Sequence, residues 1–273
     1  MWPFDRWMNA DVLRVCRDSV EHWADGPGGL VLRRHEPLAA AMDASALQDA
    51  IGRLFADASH PRRVDAVIES AWLPVMLLAP GPEHRRVSDL EALLRKRVAA
   101  LHDLDDASIA QWQVQIDGLP GQARVCGYAL PVALRAAVTR ATAAAGVAVR
   151  SLQPAWAWAR AHASQRATRA HSGWWLWQES DRTLVANLFQ GRVRSLHPAI
   201  APMNERFDLT AIIGAEAVRH GLAATSAVVM SGWVAPTLVA KPARWLGVAA
   251  MQPMSRPTLA TTAAATVPAQ GRP

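Results

Sequence analysis

Histidine, cysteine and carboxylate side chains are the raw material of catalysis, and in this chain they are scattered. The nine histidines are dispersed from His22 to His220. None forms an H-x-x-x-H pair with a nearby carboxylate on a predicted helix, the pattern that sets two imidazoles on one face to hold a metal. The only two cysteines, Cys16 and Cys126, exclude a zinc site built on cysteine. Each falls in a strand-like segment, and two buried free thiols are expected rather than a bridge. Asp103, Asp105 and Asp106 crowd a helix end but lack the glycine and distal glutamate of a calcium loop. Neither a G-x-S-x-G elbow nor a Walker loop appears. The sequence therefore predicts no catalytic residue and no metal.

Tryptophan is the side chain in excess, twelve against one tyrosine and four phenylalanines. Trp156 and Trp158 straddle Ala157. Trp174, Trp175 and Trp177 crowd one short segment, where alternation puts Trp175 and Trp177 on one sheet face. Two readings stand: a core between lobes, or an aromatic floor that receives a partner peptide, because Trp and Arg dominate interface hot spots. On the second reading Trp156, Trp158, Trp175 and Trp177 are the candidate partner-binding residues.

Lys and Arg number 29 against 23 Asp and Glu, a net charge of +6, and only Lys96 and Lys241 are lysine. The cations are spread over many elements instead of one stripe, which argues against nucleic acid. At most they help a peripheral protein stay near an anionic membrane. With 51% hydrophobic and 19% charged residues the chain has the material for a sizeable core. No run of about 18 apolar residues offers a membrane span. The start, with Asp5 and Asp11, lacks the apolar stretch of a secretory signal. The expected setting is the cytoplasm.

The elements follow from periodicity. Val12 to Trp23 reads as a strand, and Leu30 to Arg34 returns after the turn Asp25-Gly26-Pro27-Gly28-Gly29. Residues 44–58 read as a helix, with Ser45 and Gln48 as capping box and Leu47, Ile51, Leu54 and Phe55 on one face. Strands follow at Arg63 to Ser70 and Pro74 to Ala79, the second apolar enough to be buried on both faces. Ser88 and Glu91 open a helix to about 102, with an apolar stripe of Leu90, Leu93, Leu94, Val98 and Leu101. Residues 109–117 alternate without exception, Gln111, Gln113, Gln115 and Asp117 against Trp112, Val114 and Ile116. Arg124 to Leu130 returns, Pro131 opens a helix that Gly146 stops, Val147 to Leu152 is a strand, and Pro154 begins another helix. After the polar stretch 164–172 the pattern restarts with strands Trp174 to Gln178, Thr183 to Phe189 and Arg192 to Leu196. A helix at about 208–220, capped by Asp208, and a strand Ser226 to Met230 complete it. The proline-rich residues 251–273 read as a disordered tail.

Three strands, a helix and a strand are the opening of a ribonuclease-H-like unit, and the order occurs twice. The expected fold is α/β and actin-like: two ribonuclease-H-like lobes with mixed sheets. The first lobe spans 11–163 and carries an inserted helix-hairpin subdomain at about 86–130; the second spans 173–250. Segment 44–160 resembles the N-terminal lobe of PilM and of the cytoplasmic part of GspL, actin-like proteins of type IV pilus and type II secretion systems. The resemblance lies in the helix Ser45 to Ala58, the strand Val64 to Ser70 and the apolar run Val75 to Pro80. It continues through the capped helix SDLEALLRKRVAAL, the glutamine-rich hairpin Ala110 to Leu130, and PVALRAAVTRATAAAGVAVRSLQP. Gly173 to Gly232 is compatible with the second lobe.

The resemblance implies a place for ATP and magnesium, held by two hairpins with an Asp-x-Gly pattern. Glycine lets the backbone approach phosphate and aspartate positions the metal. The first hairpin here, Leu13 to Trp23, offers Asp18 and Ser19 but no glycine. The second, Trp177 to Thr183, keeps Thr183 but has Trp177 and Glu179 where Asp and Gly belong. The adenine-side strand keeps Ser231 and Gly232, then places Trp233 at the second glycine. Thr183, Ser231 and Gly232 are thus remnants of a cofactor site, and the expectation is a pseudo-ATPase without cofactor. By resemblance, it would be a non-catalytic cytoplasmic scaffold at the inner-membrane face. Its partners would be the cytoplasmic tail of a single-span membrane protein or an assembly ATPase, with homodimerisation open. The alternative is a functional actin-like ATPase or sugar-kinase-like enzyme with divergent phosphate motifs.

Overall fold

A strand that is buried on both faces belongs in the middle of a sheet, and β1 (Asp11–Val15), buried from Val12 onward, lies there. The computed structural model describes residues 11–26, 29–56, 61–162, 172–199, 209–221 and 228–232. β2 (Ser19–Gly26) and β3 (Gly29–Pro37) continue from β1 as an antiparallel meander, Val15 opposite Val20. Here the structure differs from the single strand expected over 12–23. Polar Arg17 and Asp18 turn the chain outward, and the Cys16 N–H closes the turn on the Ser19 carbonyl at 2.9 Å. β4 (Arg63–Ile68) and β8 (Ala148–Pro154) add in parallel, giving the order β3-β2-β1-β4-β8. α1 (Ala44–Leu54) buries Leu47, Ile51 and Leu54. Its cap is Asp43, whose carboxylate accepts from the Ala46 N–H at 2.7 Å, so Ser45 lies already inside the helix.

The inserted unit is a separate three-stranded sheet. β5 (Val75–Leu78), β6 (Trp112–Asp117) and β7 (Val125–Pro131) stack antiparallel in the order β5-β7-β6. β5 is therefore a half-buried edge strand rather than one buried on both faces, and the insertion begins at about residue 75, not 86. Apolar composition alone could not tell these apart, because an edge strand beneath a helix needs apolar side chains too. α2 (Val87–His102) lies across this sheet on Leu90, Leu94 and Val98, while Leu101 at its end is 64% exposed. Asp89, not Ser88 with Glu91, closes its start by accepting from the Arg86 N–H at 2.9 Å. The short α3 (Asp106–Ile109) leads into β6, which exposes Gln113, Gln115 and Asp117 as its alternation demands.

α4 (Val132–Ala144) returns the chain to pack on α1, and α5 (Ala155–His162) follows β8. The second lobe repeats the first lobe's order. β9 (Gly173–Gln178), β10 (Thr183–Phe189) and β11 (Arg192–Ala199) form a meander, and β12 (Val228–Gly232) pairs parallel to β9, giving β11-β10-β9-β12. α6 (Leu209–His220) connects β11 to β12. One hydrophobic core joins the lobes, running from Val12 and Ile68 through Trp156 to Trp175 and Leu184. The expected tail at 251–273, most of the linker 164–172, Trp233 and the cap Asp208 lie outside the described residues.

Gly127 marks the closest approach in the insertion. A β-carbon there would sit 2.7 Å from Leu94 Cδ2, so glycine lets α2 settle onto β7. Gly127→Val is expected to cost about 1–3 kcal/mol by overpacking. Differential scanning calorimetry should read this as a melting temperature lower by about 3–8 °C.

Candidate functional site

The two lobes meet where their β-hairpins end, and the residues there are charged and buried. Arg14, on central β1, is directly opposite Glu21 on β2 and donates to its carboxylate at 2.7 Å. The Trp23 indole N–H donates to the same oxygen at 2.8 Å. Arg14 also donates through Nε at 3.0 Å and through Nη2 to Glu69 Oε1, just beyond the end of β4. Arg14, Glu21 and Glu69 are each at most 2% exposed. Burial opposes the charge on Arg14, but the Cys16 sulfur and the carboxylates of Glu69 and Glu21 outweigh it and raise the guanidinium pKa. A cation so held stays charged, and it allows Glu69 to carry its own charge in the interior.

Glu69 then crosses to the second lobe. Its Oε1 accepts from the Ser180 N–H at 3.0 Å, and its Oε2 accepts from the Ser180 hydroxyl. Glu179, in the turn between β9 and β10, makes the converse contact: its Oε2 accepts from the Ser70 N–H at 2.9 Å and from the Ser70 hydroxyl. The chain thus uses the dipeptide Glu-Ser twice, and each glutamate grips the serine that follows the other. At the rim Asp181 accepts from Arg182 at 2.8 Å and from Arg17 of the first hairpin at 3.4 Å. Burial holds Asp181 up less than the two guanidinium groups pull it down, so its carboxyl titrates below the usual range.

Glu179 differs from Glu69 in having no guanidinium in contact. It is 2% exposed, and its Oε1 has no hydrogen-bond partner among the described residues. Burial first, and then the charge of Glu69, push its pKa up to about 8. Near neutral pH it therefore holds a proton while Oε2 keeps both serine donors.

Glu69, Glu179 and Asp181 offer carboxylate oxygens that all lie within 4.8 Å of one another. The actin-like fold implies magnesium and a nucleotide near such hairpins, and the residues present do not suit them. Glu69 and Asp181 already face arginine, which supplies the countercharge a metal would bring. A triphosphate entering here would meet carboxylates and displace the cross-lobe hydrogen bonds instead of finding free amides.

The expected remnants are placed accordingly. Thr183 is buried and its hydroxyl donates to Gln178 Oε1 at 3.2 Å within its own hairpin. Ser231 and Gly232 end β12, opposite Trp177 and Gln178 on β9. Trp156, Trp158, Trp175 and Trp177 are at most 3% exposed, with Trp156 and Trp175 stacked at 4.5 Å between ring centroids. Their faces are packed in the interlobe core, and Trp175 also lines a groove beside β6. Cys16 and Cys126 are free and buried, as expected. Arg14, Glu69 and Ser70 escaped the sequence reading. The available signal was a glutamate directly after an apolar strand, Val67-Ile68-Glu69-Ser70, repeated as Trp177-Gln178-Glu179-Ser180.

Two ribonuclease-H-like sheets facing each other through their first hairpins define the actin-like class of fold. No protein-family model and no curated protein sequence matches the chain. Among solved structures it is similar to the PilM-PilN type IV pilus biogenesis complex. There the TM-score is 0.56 at 14% identity, over 89% of this chain and 87% of that one. It is also similar to a protein of Bacteroides thetaiotaomicron with an actin-like ATPase fold and unknown function. That match has a TM-score of 0.52 at 11% identity, over 91% and 92% of the chains. The cytoplasmic domain of EpsL, an inner-membrane component of the Vibrio cholerae type II secretion system, aligns at TM-score 0.48 and 14% identity over 82% of each chain. The first two likenesses establish the actin-like fold.

Two predictions follow from the exchange between the lobes. Removing both hydroxyls in Ser70→Ala/Ser180→Ala should cost about 2 kcal/mol per site. A thermal melt should then fall by about 8–15 °C. For Glu179 the folded pKa of about 8 stands above the ordinary glutamate value of 4.5, so the folded state binds the extra proton. Its stabilising proton is fully present below pH 4.5 and lost as pH rises through about 8. Over that window stability should decline by up to about 1.4 kcal/mol per pH unit. Glu179→Gln, which keeps an acceptor for Ser70, should flatten that decline in melts recorded from pH 5 to 9.

Proposed function

We propose that the chain is a non-catalytic scaffold of a type IV pilus or type II secretion-like inner-membrane assembly platform. It acts as a pseudo-ATPase peripheral to the cytoplasmic face and binds the cytoplasmic tail of a single-span membrane protein, an assembly ATPase, or both. The observation that carries this reading is the reciprocal Glu-Ser exchange, which fills the space between the hairpins with buried carboxylates where phosphates would otherwise go. The fold shared with the PilM of a PilM-PilN complex supports the assignment. Among the described residues no helix is long and apolar enough to cross a membrane, so attachment would come through a partner.

In this reading neither lobe performs chemistry. Arg14 neutralises Glu69, the two glutamates tie the hairpins together, and the closed pair of lobes presents a fixed outer surface. Thermal melting with up to 5 mM Mg-ATP should show no upward shift, whereas a nucleotide present at about 100 times its Kd would add about 2.7 kcal/mol. A clear shift would favour an actin-like ATPase or sugar-kinase-like enzyme and overturn the pseudo-ATPase. Calorimetric titration with synthetic cytoplasmic tails of single-span proteins encoded beside this chain should give a saturable isotherm. Its absence for every such tail, and for the assembly ATPase, would overturn the scaffold.

A further inference from the structure

A groove runs between the insertion and the second lobe, away from the junction of the hairpins. One part, about 440 Å³, lies between β6, α5 and the strands β9 and β10. A second part, about 360 Å³, extends along the start of β7 to the β10–β11 turn. Asp117, Arg160 and Gly191 line both parts, so the two are continuous. The rim is cationic: Arg124, Arg160, Arg192 and Arg194 stand against one acid, Asp117. That acid is already used, since it accepts from Arg160 at 2.7 Å. Arg124 and Arg192 make no ion pair among the described residues, and both are exposed. Arg194 stacks over Phe189 at 4.0 Å from the ring centroid, and Phe189 remains 43% exposed.

We propose that this groove binds an acidic, extended peptide segment of another protein, with carboxylates on the arginines and an apolar side chain against Phe189. The charge selects the occupant. No Asp or Glu follows Glu216 in the sequence, so the chain's own C-terminal residues carry the wrong sign. A second copy, with net charge +6, would bring the same arginines to meet their own kind. Arginine forks pair with carboxylates in a bidentate way, and an aromatic ring beside them supplies the apolar anchor. A nucleic acid fits less well, because the chain's cations are spread over many elements instead of one stripe. The proposal does not depend on the scaffold reading, and its experiment uses no membrane tail.

The test is fluorescence anisotropy on the full chain in 150 mM salt. The probe is a fluorescein-labelled twelve-residue peptide of alternating glutamate and leucine. Saturable micromolar binding is expected, and none for the same peptide with glutamine in place of glutamate. Arg124→Glu/Arg192→Glu should weaken binding by about tenfold or more. The control Arg62→Glu/Arg63→Glu makes the same change of charge at exposed positions at the entry to β4 and should leave it within about twofold. Phe189→Ala, which keeps every charge, should weaken it by a smaller factor. Melting curves establish that each variant is folded. Equal losses in the two double variants, no binding by the parent chain, or tighter binding of a single-stranded oligonucleotide at the same arginines would each overturn the proposal.

Discussion

The structure depends on burying charge where two halves of the protein meet. Carboxylates are costly to desolvate, and an interior glutamate persists only when cations or hydrogen-bond donors compensate it. Here the compensation is shared across the lobes. Arg14 supplies the positive charge from the middle of the first sheet, and each glutamate takes both donors of a serine on the opposite side. Neither lobe could keep its own glutamate satisfied alone. Cutting the lobes apart would leave Glu69 with Arg14 alone and Glu179 without its Ser70 donors, so the lobes form one unit through their polar groups as much as through the tryptophan core.

The rest of the architecture positions this contact. Arg14 points correctly because β1 is central, flanked by β2 and β4, and Glu21 and Glu69 arrive from those two neighbours. The turn Cys16 to Ser19 places Arg17 beside Asp181. The second meander holds Glu179 and Ser180 at a corresponding edge. Trp156 and Trp175 fill the volume behind them. The insertion has its own sheet and the tight seat of α2 on Gly127.

Much of this was legible before the structure. The repeated three-strand, helix, strand order gave two lobes, because period-two and period-3.6 patterns survive in each segment of α1, α2 and β6. What failed was local competition. Asp43 outcompeted Ser45 as helix cap because its carboxylate accepts from both the backbone and Ser45 itself. β5 looked like a core strand because apolar character says nothing of which neighbour a strand pairs with. That the hairpins lack an Asp-x-Gly pattern was visible in the sequence. The contact between Glu69 and Ser180, 111 residues apart, was not, since no spacing rule links them. The tryptophans drew notice for their number, and their burial shows that a large indole at a lobe junction is first of all a filler of volume.

The β6–β7 hairpin stands on the insertion, whereas the β10–β11 turn belongs to the second lobe. Any surface built from both exists only while the halves are shut. Here the halves are tied by side chains of the polypeptide itself, Glu69 to Ser180 and Glu179 to Ser70. A surface of this kind is held in shape by hydrogen bonds made elsewhere in the molecule.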